Sequence, residues 1–277
     1  MPGKLGILAG GGTLPRRIIE ACRAEGRAVF LIAFEGQADT ETVGDVEHAW
    51  VRLGAAGSSV KMLHSAGVEE IVMAGSVKRP SLVSLRPDWW ATRFFARSGA
   101  FALGDDGLLS ALVRELETRE GFRVIGLETL LPGIKAQSGP FGEVAPDDQA
   151  LRDIRRGFDV IRGLGFLDIG QASVIQQSIV LAVEAIEGTD AMLSRCGPLQ
   201  REGAGGVLVK ARKPGQEERA DLPTIGATTI KNAAAAGLRG VAVEADGVLV
   251  IDQEAVTRAA DKAGLFVFGF TARDVGH

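Results

Sequence analysis

A short apolar run, Leu5–Ala9, ends in Gly10-Gly11-Gly12, and Pro15 follows almost at once. This order constrains the fold more than any other feature of the chain. Glycines let a backbone turn sharply and approach a ligand, and proline is tolerated in the first turn of a helix. The segment therefore reads as strand, glycine turn and helix, with the helix running to about Glu25 and closed by Gly26. The pattern then recurs. Ala28–Phe34 is a second β-like run, Ser58–Ala66 is helical and stopped by Gly67, and Glu70–Ala74 is a third strand. Gly107–Glu120 adds a helix and Arg123–Gly126 a strand. Repeated βα units of this length imply a parallel sheet with helices on its faces, an α/β fold.

The second half follows a break. Residues 133–146, bounded by Pro132 and Pro146, hold glycines and little periodicity, which marks an interdomain linker between a domain at 1–132 and an α/β domain at 147–277. Asp147 or Asp148 caps a helix to about Leu164, an apolar pattern continues over Ser173–Ile186, and Gly206–Lys210 is strand-like. Thr228 or Thr229 opens a helix that Gly237 stops. Ala245-Asp246-Gly247 reads as a tight turn joining strands Gly240–Glu244 and Val248–Ile251, before a helix Gln253–Ala263 and a strand Leu265–Phe270.

Several classes are disfavoured. The 277 residues carry a net charge of −4 and no basic block, which argues against a nucleic-acid partner. Two cysteines far apart and three scattered histidines make neither a disulfide framework nor a zinc site, and a reducing, cytoplasmic setting is expected. No apolar run is long enough to span a bilayer, so any membrane contact is expected to be peripheral.

Gly11, Gly12 and Thr13 sit where a strand feeds a helix, a place that suits a phosphate or nucleotide. A dinucleotide fingerprint is incomplete, because Pro15 stands where its third glycine belongs, although Glu35 supplies an acid after the second strand. A nucleotide-dependent oxidoreductase is the alternative enzyme reading, and a non-catalytic lipid- or nucleotide-binding protein is the third. Gly75 and Ser76, followed by Lys78 and Arg79, close the strand Glu70–Ala74 in the same manner. The segment Arg86–Leu103 interleaves Trp89, Trp90, Phe94, Phe95 and Phe101 with arginines. Core packing is the default for such a stripe; exposed, it would grip acyl chains, a membrane surface or the partner of a homodimer.

The densest polar signals lie towards the C-terminus. Glu184 stands in an apolar context, where an unpaired carboxylate is expensive, so a lysine, an arginine or a metal is expected beside it. Thr189 and Asp190 follow a glycine break and read most simply as helix caps, and Glu187 as a solvated acid. The run Lys210–Gly226 mixes Lys210, Arg212, Lys213 and Arg219 with Glu217, Glu218 and Asp221 on a path fixed by prolines and glycines. Lys210 and Lys213 are expected to face one anion, and Asp221 precedes an extended Leu222-Pro223. This inventory suits phosphoryl chemistry, with cations on phosphoryl oxygens and one or two carboxylates (Asp221 with Glu184 or Asp190) for Mg²⁺ or water.

Leu5–Pro15 (LGILAGGGTLP), Gly170-Gln171-Ala172, Val183–Asp190 (VEAIEGTD) and Lys210–Gly226 (KARKPGQEERADLPTIG) together resemble the LpxI-type UDP-2,3-diacylglucosamine pyrophosphatases of Gram-negative lipid A synthesis. The resemblance covers essentially the whole chain. It implies a Rossmann-like N-terminal domain, a C-terminal α/β domain and the lipid held between them. It also implies Mg²⁺-dependent hydrolysis to UMP and 2,3-diacylglucosamine 1-phosphate. By the same resemblance Gly11, Gly12 and Thr13 meet the nucleotide or its phosphates. Gln171, Thr189 and Asp190 belong to the middle motifs; Lys210, Lys213, Gln216, Asp221 and Thr224 belong to the last one. Asp221 is its catalytic or metal-binding carboxylate, while Glu217 stands where an aspartate is expected.

Overall fold

A computed structural model describes residues 3–78, 82–99 and 104–276. Arg79, Phe101 and Leu103 lie outside them. The chain divides into two compact units: Met1–Pro132 with Glu217–Asp221, and Gly133–Gln216 with Leu222–His277.

The first unit runs β1 (Lys4–Ala9), α1 (Leu14–Ala24), β2 (Val29–Phe34), α2 (Thr40–Val43), β3 (His48–Val51), α3 (Ala56–Ser65), β4 (Val68–Ala74), α4 (Leu82–Leu85), α5 (Trp89–Ser98), α6 (Asp105–Thr118) and β5 (Arg123–Val124). Its sheet has the order β3-β2-β1-β4-β5 with every pair parallel, the expected Rossmann-like arrangement. Central strands of such a sheet are covered on both faces and so read as unbroken apolar runs; β2, VFLIAF, is one. Helix α1 buries Leu14, Pro15, Ile18, Ile19 and Cys22, a spacing that puts them on one face. Strand β3 is absent from the sequence reading. It is a four-residue edge strand in which only Val51 is buried, too short and too wet to leave an apolar signature. The aromatic segment follows its default: Phe94 and Phe95 are buried with Ala91, and the Trp90 indole N–H donates to Glu120 at 2.7 Å. Trp89 is the exception, 76% exposed.

The second unit runs β6 (Gly139–Pro140), α7 (Asp148–Phe166), β7 (Ala172–Gln176), β8 (Ile179–Val183), α8 (Gly188–Ser194), β9 (Val207–Lys210), β10 (Thr224–Ile225), α9 (Ala227–Ala235), β11 (Gly240–Glu244), β12 (Leu249–Val250), α10 (Gln253–Ala263) and β13 (Phe266–Phe270). Six strands form one sheet in the order β6-β13-β11-β9-β7-β8. Strands β9, β11 and β13 are parallel; β7 is antiparallel to both β8 and β9, and β6 to β13. Helix α7 covers one face, packing Ile154, Phe158 and Ile161 on Val207, Val209, Phe266 and Phe270. Helices α8, α9 and α10 cover the other through Met192, Leu193, Ile230, Ala233, Val256 and Ala260. Truncating any of these large core side chains to alanine should cost about 2–5 kcal/mol. Asp147 caps α7 by accepting the Ala150 N–H at 2.8 Å. A hydrogen bond from Arg239 holds the Asp147 carboxyl below its ordinary range.

One apolar run is resolved here and two expectations are corrected. Ser173–Ile186 is a β-hairpin, β7–β8, whose turn puts Gln177 and Ser178 at φ of 53° and 64°. Their backbone N–H groups are gathered by the buried Asp153 carboxylate at 3.2 and 2.6 Å, a long-range partner that local pattern does not reveal. Residues 245–247 do turn, but β11 and β12 do not pair; β12 runs parallel to β10 in a separate small sheet. Residues 133–146, expected as a linker, count with the second unit, where β6 pairs with β13.

Candidate functional site

In the first unit the loops after β1 and β4 meet. These neighbouring strands send their chains to opposite sides of the sheet, the switch point at which open α/β sheets bind ligands. Gly11 and Ser76 are bridged by a reciprocal pair of backbone hydrogen bonds, 2.8 and 2.9 Å. The approach leaves no room for side chains. A Cβ on Gly75, which sits at φ 91°, would stand 2.5 Å from the Gly11 carbonyl oxygen, and one on Gly10 would stand 2.3 Å from that of Ser76. Gly12 is also left-handed, at φ 90°, yet nothing stands within 4 Å of its missing Cβ. Thr13 is exposed and its hydroxyl does not cap α1. Gln37, from the loop after β2, joins the cluster by accepting the Lys78 N–H at 2.8 Å. Gly11, Gly12, Thr13, Gly75 and Ser76 are therefore one neighbourhood, although 60-odd residues of chain separate its halves.

The second unit gathers side chains at the carboxyl ends of its parallel strands. Lys210 ends β9, and Ala172, first in the antiparallel β7, pairs with it, so Gln171 sits at the same edge. The loop after β8 brings Glu184, whose backbone N–H donates to Ala172. Lys210 is buried; its Nζ donates to Thr189 Oγ1 at 2.8 Å and to the Thr224 carbonyl at 3.1 Å. The Thr189 hydroxyl donates onward to Glu184 Oε1, and Glu184 Oε2 accepts the Gln171 N–H at 3.1 Å. A second chain runs beside it. Gln216 Nε2 donates to Gln171 Oε1 at 3.1 Å, Gln216 Oε1 accepts the Lys213 N–H at 3.0 Å, and Lys213 Nζ reaches Asp168 Oδ1 at 2.6 Å. Two close approaches hold the edge together. A Cβ on Gly165 would meet Pro214 Cδ at 2.7 Å, and one on Gly170 would meet the Glu184 carbonyl oxygen at 2.1 Å.

Lys210, Lys213, Gln171, Thr189, Gln216, Thr224 and Glu184 thus come together. Some details differ from the sequence reading. The two ammonium groups have different hydrogen-bond partners, Thr189 and the Thr224 carbonyl for Lys210 and Asp168 for Lys213. Thr189 links Lys210 to Glu184, and the two Glu184 oxygens are engaged by the Thr189 hydroxyl and the Gln171 N–H. Neither Thr189 nor Asp190 caps α8: Thr189 serves Glu184, and Asp190 accepts from Asn232 at 2.8 Å. Glu187 is paired with Arg195 at 2.7 Å, and that hydrogen bond lowers its carboxyl. Asp221 counts with the first unit, as does Glu217. Glu217 grips Arg219 with both oxygens, at 2.8 and 3.0 Å, while Arg219 also reaches Glu117 at 2.7 Å. The guanidinium holds the Glu217 carboxyl low and is itself raised in return. Asp168 escaped the sequence reading. Its signal was an acid between Leu167 and Ile169 just past a helix, and its φ of 52° is the local reason it can turn back to Lys213.

Among the described residues no three His, Cys, Asp or Glu side chains are grouped to hold a metal ion. A cage built wholly from protein is not what these residues offer. One carboxylate, Asp221 or Asp190, with phosphate oxygens and water is the form they fit.

Comparison with known proteins agrees with this division. A model of the LpxI N-terminal domain matches residues 4–134, and one of the LpxI C-terminal domain matches residues 137–268. The UDP-2,3-diacylglucosamine pyrophosphatase LpxI of Caulobacter vibrioides is 42% identical over 273 residues, which is 96% of this chain and 97% of that protein. With both domain models matched in order and a relative this similar along nearly its whole length, the chain belongs to the LpxI family.

Proposed function

We propose that this protein hydrolyses the pyrophosphate of UDP-2,3-diacylglucosamine, releasing UMP and 2,3-diacylglucosamine 1-phosphate (lipid X), in lipid A biosynthesis. The observation that carries the reading is the buried edge cluster around Lys210 and Lys213, in a chain 42% identical to a protein of that activity. Two lysines fixed by hydrogen bonds suit attack by water on a phosphoanhydride.

Each group has a part in this proposal. Gly11, Gly12, Thr13, Gly75 and Ser76 form the turn that meets the nucleotide, with the Gly11–Ser76 backbone pair holding it open to close approach. Lys210 and Lys213 offset charge on the phosphoryl oxygens, and Gln171, Thr189, Gln216 and Thr224 keep them in place. Asp221 takes the proton of the attacking water. The water oxygen bonds to the phosphorus next to the sugar, and the bond from that phosphorus to the bridging oxygen breaks. UMP leaves with the bridging oxygen. Mg²⁺, held by Asp221 or Asp190 together with substrate phosphates, would withdraw charge from those phosphates. Among the described residues no helix is long and apolar enough to cross a membrane. The proposed setting is the cytoplasm, with peripheral contact at the inner membrane, where the lipid substrate resides; a homodimer is compatible with this scheme.

The test is direct. Purified protein incubated with UDP-2,3-diacylglucosamine and Mg²⁺ should release UMP and lipid X, and chelation should stop it reversibly. Reaction in ¹⁸O-water should place the label in lipid X. Absence of UMP would overturn the assignment, and label in UMP would move the attack to the other phosphorus.

A further inference from the structure

The second unit carries exposed apolar side chains that its own core leaves unused. Phe166 is 74% and Leu167 71% exposed, and Ile169 follows in the same turn. Ile186, fully exposed, lies on the neighbouring loop, which Gly170 packs against at Glu184. Isolated exposed apolar residues are common, but this group is contiguous and closes a helix of one character. Along α7 the residues pointing to solvent include Arg152, Arg155, Arg156, Asp159, Arg162 and Phe166. At 100° per residue they occupy one face. Four arginines oppose two aspartates, Asp148 and Asp159, on that face, in a chain whose net charge is −4.

We infer that the outward face of α7, with the turn Phe166–Ile169 at its end, is a docking surface for an anionic phospholipid bilayer. Charge complementarity selects this occupant: arginines meet phosphate headgroups, while Phe166, Leu167 and Ile169 enter the headgroup–acyl boundary. The aromatic helix α5 is the weaker candidate, since its Phe94 and Phe95 are core and only Trp89 stands out. Position supports the same choice. The turn contains Asp168, which holds Lys213, so the apolar tip adjoins the edge cluster directly. The inference builds on the reading of the substrate as a membrane lipid and adds the face by which the protein meets the membrane.

Sedimentation with vesicles tests it, using phosphatidylcholine alone and phosphatidylcholine with about one-third phosphatidylglycerol. The full-length protein should bind the anionic vesicles preferentially and lose them as salt rises. Phe166→Ser/Leu167→Ser should weaken that binding about tenfold, and Arg156→Glu/Arg162→Glu should weaken it at least as much while flattening the salt dependence. Both variants should keep wild-type release of UMP from substrate dispersed in detergent micelles. Equal binding by wild type and both variants, or wild-type indifference to phosphatidylglycerol, overturns the docking surface. If the wild type binds anionic vesicles but releases no UMP, the activity fails and the surface stands; UMP release without vesicle binding is the reverse.

Discussion

The loop pair of the first unit and the edge cluster of the second are built from opposite materials. The first is backbone: Gly10, Gly11 and Gly75 let two chain segments touch, and peptide N–H to C=O bonds join them. The second is side chain: Lys210, Thr189, Glu184, Gln171, Gln216, Lys213 and Asp168 orient one another across separate loops. A backbone site tolerates almost any change that leaves the chain's path alone and no change that blocks it. A side-chain site tolerates shifts of path but fails when one hydrogen-bonding partner is removed.

Substitutions can break or sharpen that contrast. The largest effect is expected at Asp221: Asp221→Ala should fold, bind substrate and lose about 10²–10⁴-fold in kcat. Near-normal turnover would remove Asp221 from its proposed role. Next is Gly75→Val, in the backbone site. Its left-handed φ alone should cost about 1–3 kcal/mol. The 2.5 Å contact with the Gly11 carbonyl adds to this, so a clear drop in Tm is expected. Gly12→Ala meets no atom within 4 Å and should lose less; equal losses would mean that close approach is not what shapes the loop. Thr189→Val tests the other kind of site. It should leave Glu184 and Lys210 without their shared partner, at about 1–3 kcal/mol of stability, and lower kcat more than it raises KM. Thr189→Ser keeps the hydroxyl and should restore both.

The smallest effect concerns acid. The Glu217 carboxyl is lowered by Arg219, so its contribution to stability is present above its unfolded pKa, near 4.5, and is lost as pH falls through the lower folded value. Wild type should therefore lose more Tm than Glu217→Gln on acidification through that window, as read by thermal melts at a series of pH values. Parallel pH profiles would dissociate Glu217 from the acid response.

The same contrast explains what was legible before any coordinates. The βα units of the first unit leave long apolar runs and glycine stops, so β1, α1, β2, α3 and β4 fall where the pattern puts them. The edge strand β3, with one buried residue, leaves no such trace. In the candidate site the residue types of Lys210–Gly226 suggested an anion site. Which lysine meets which acid depends on contacts such as Lys213 with Asp168, 45 positions apart. Asp153 gathering the Gln177 and Ser178 amides is the same kind of fact. Pairings at that range are set by sheet order, and single-chain periodicity does not encode sheet order.

One feature bears on how the chain is made. Glu217–Asp221 belongs to the first unit, where Arg219 bonds to Glu117 and the Val124 carbonyl, though the rest of that unit ends at Pro132. During synthesis from the N-terminus the first unit can assemble its sheet early, but it waits for its last segment until most of the second unit has emerged. Domains generally fold as units in order of synthesis; here the earlier one is finished by the later one. A ribosome-arrested chain ending at Pro132 should expose what that late segment covers, and full protease resistance of residues 1–132 should arrive only once Asp221 has been added.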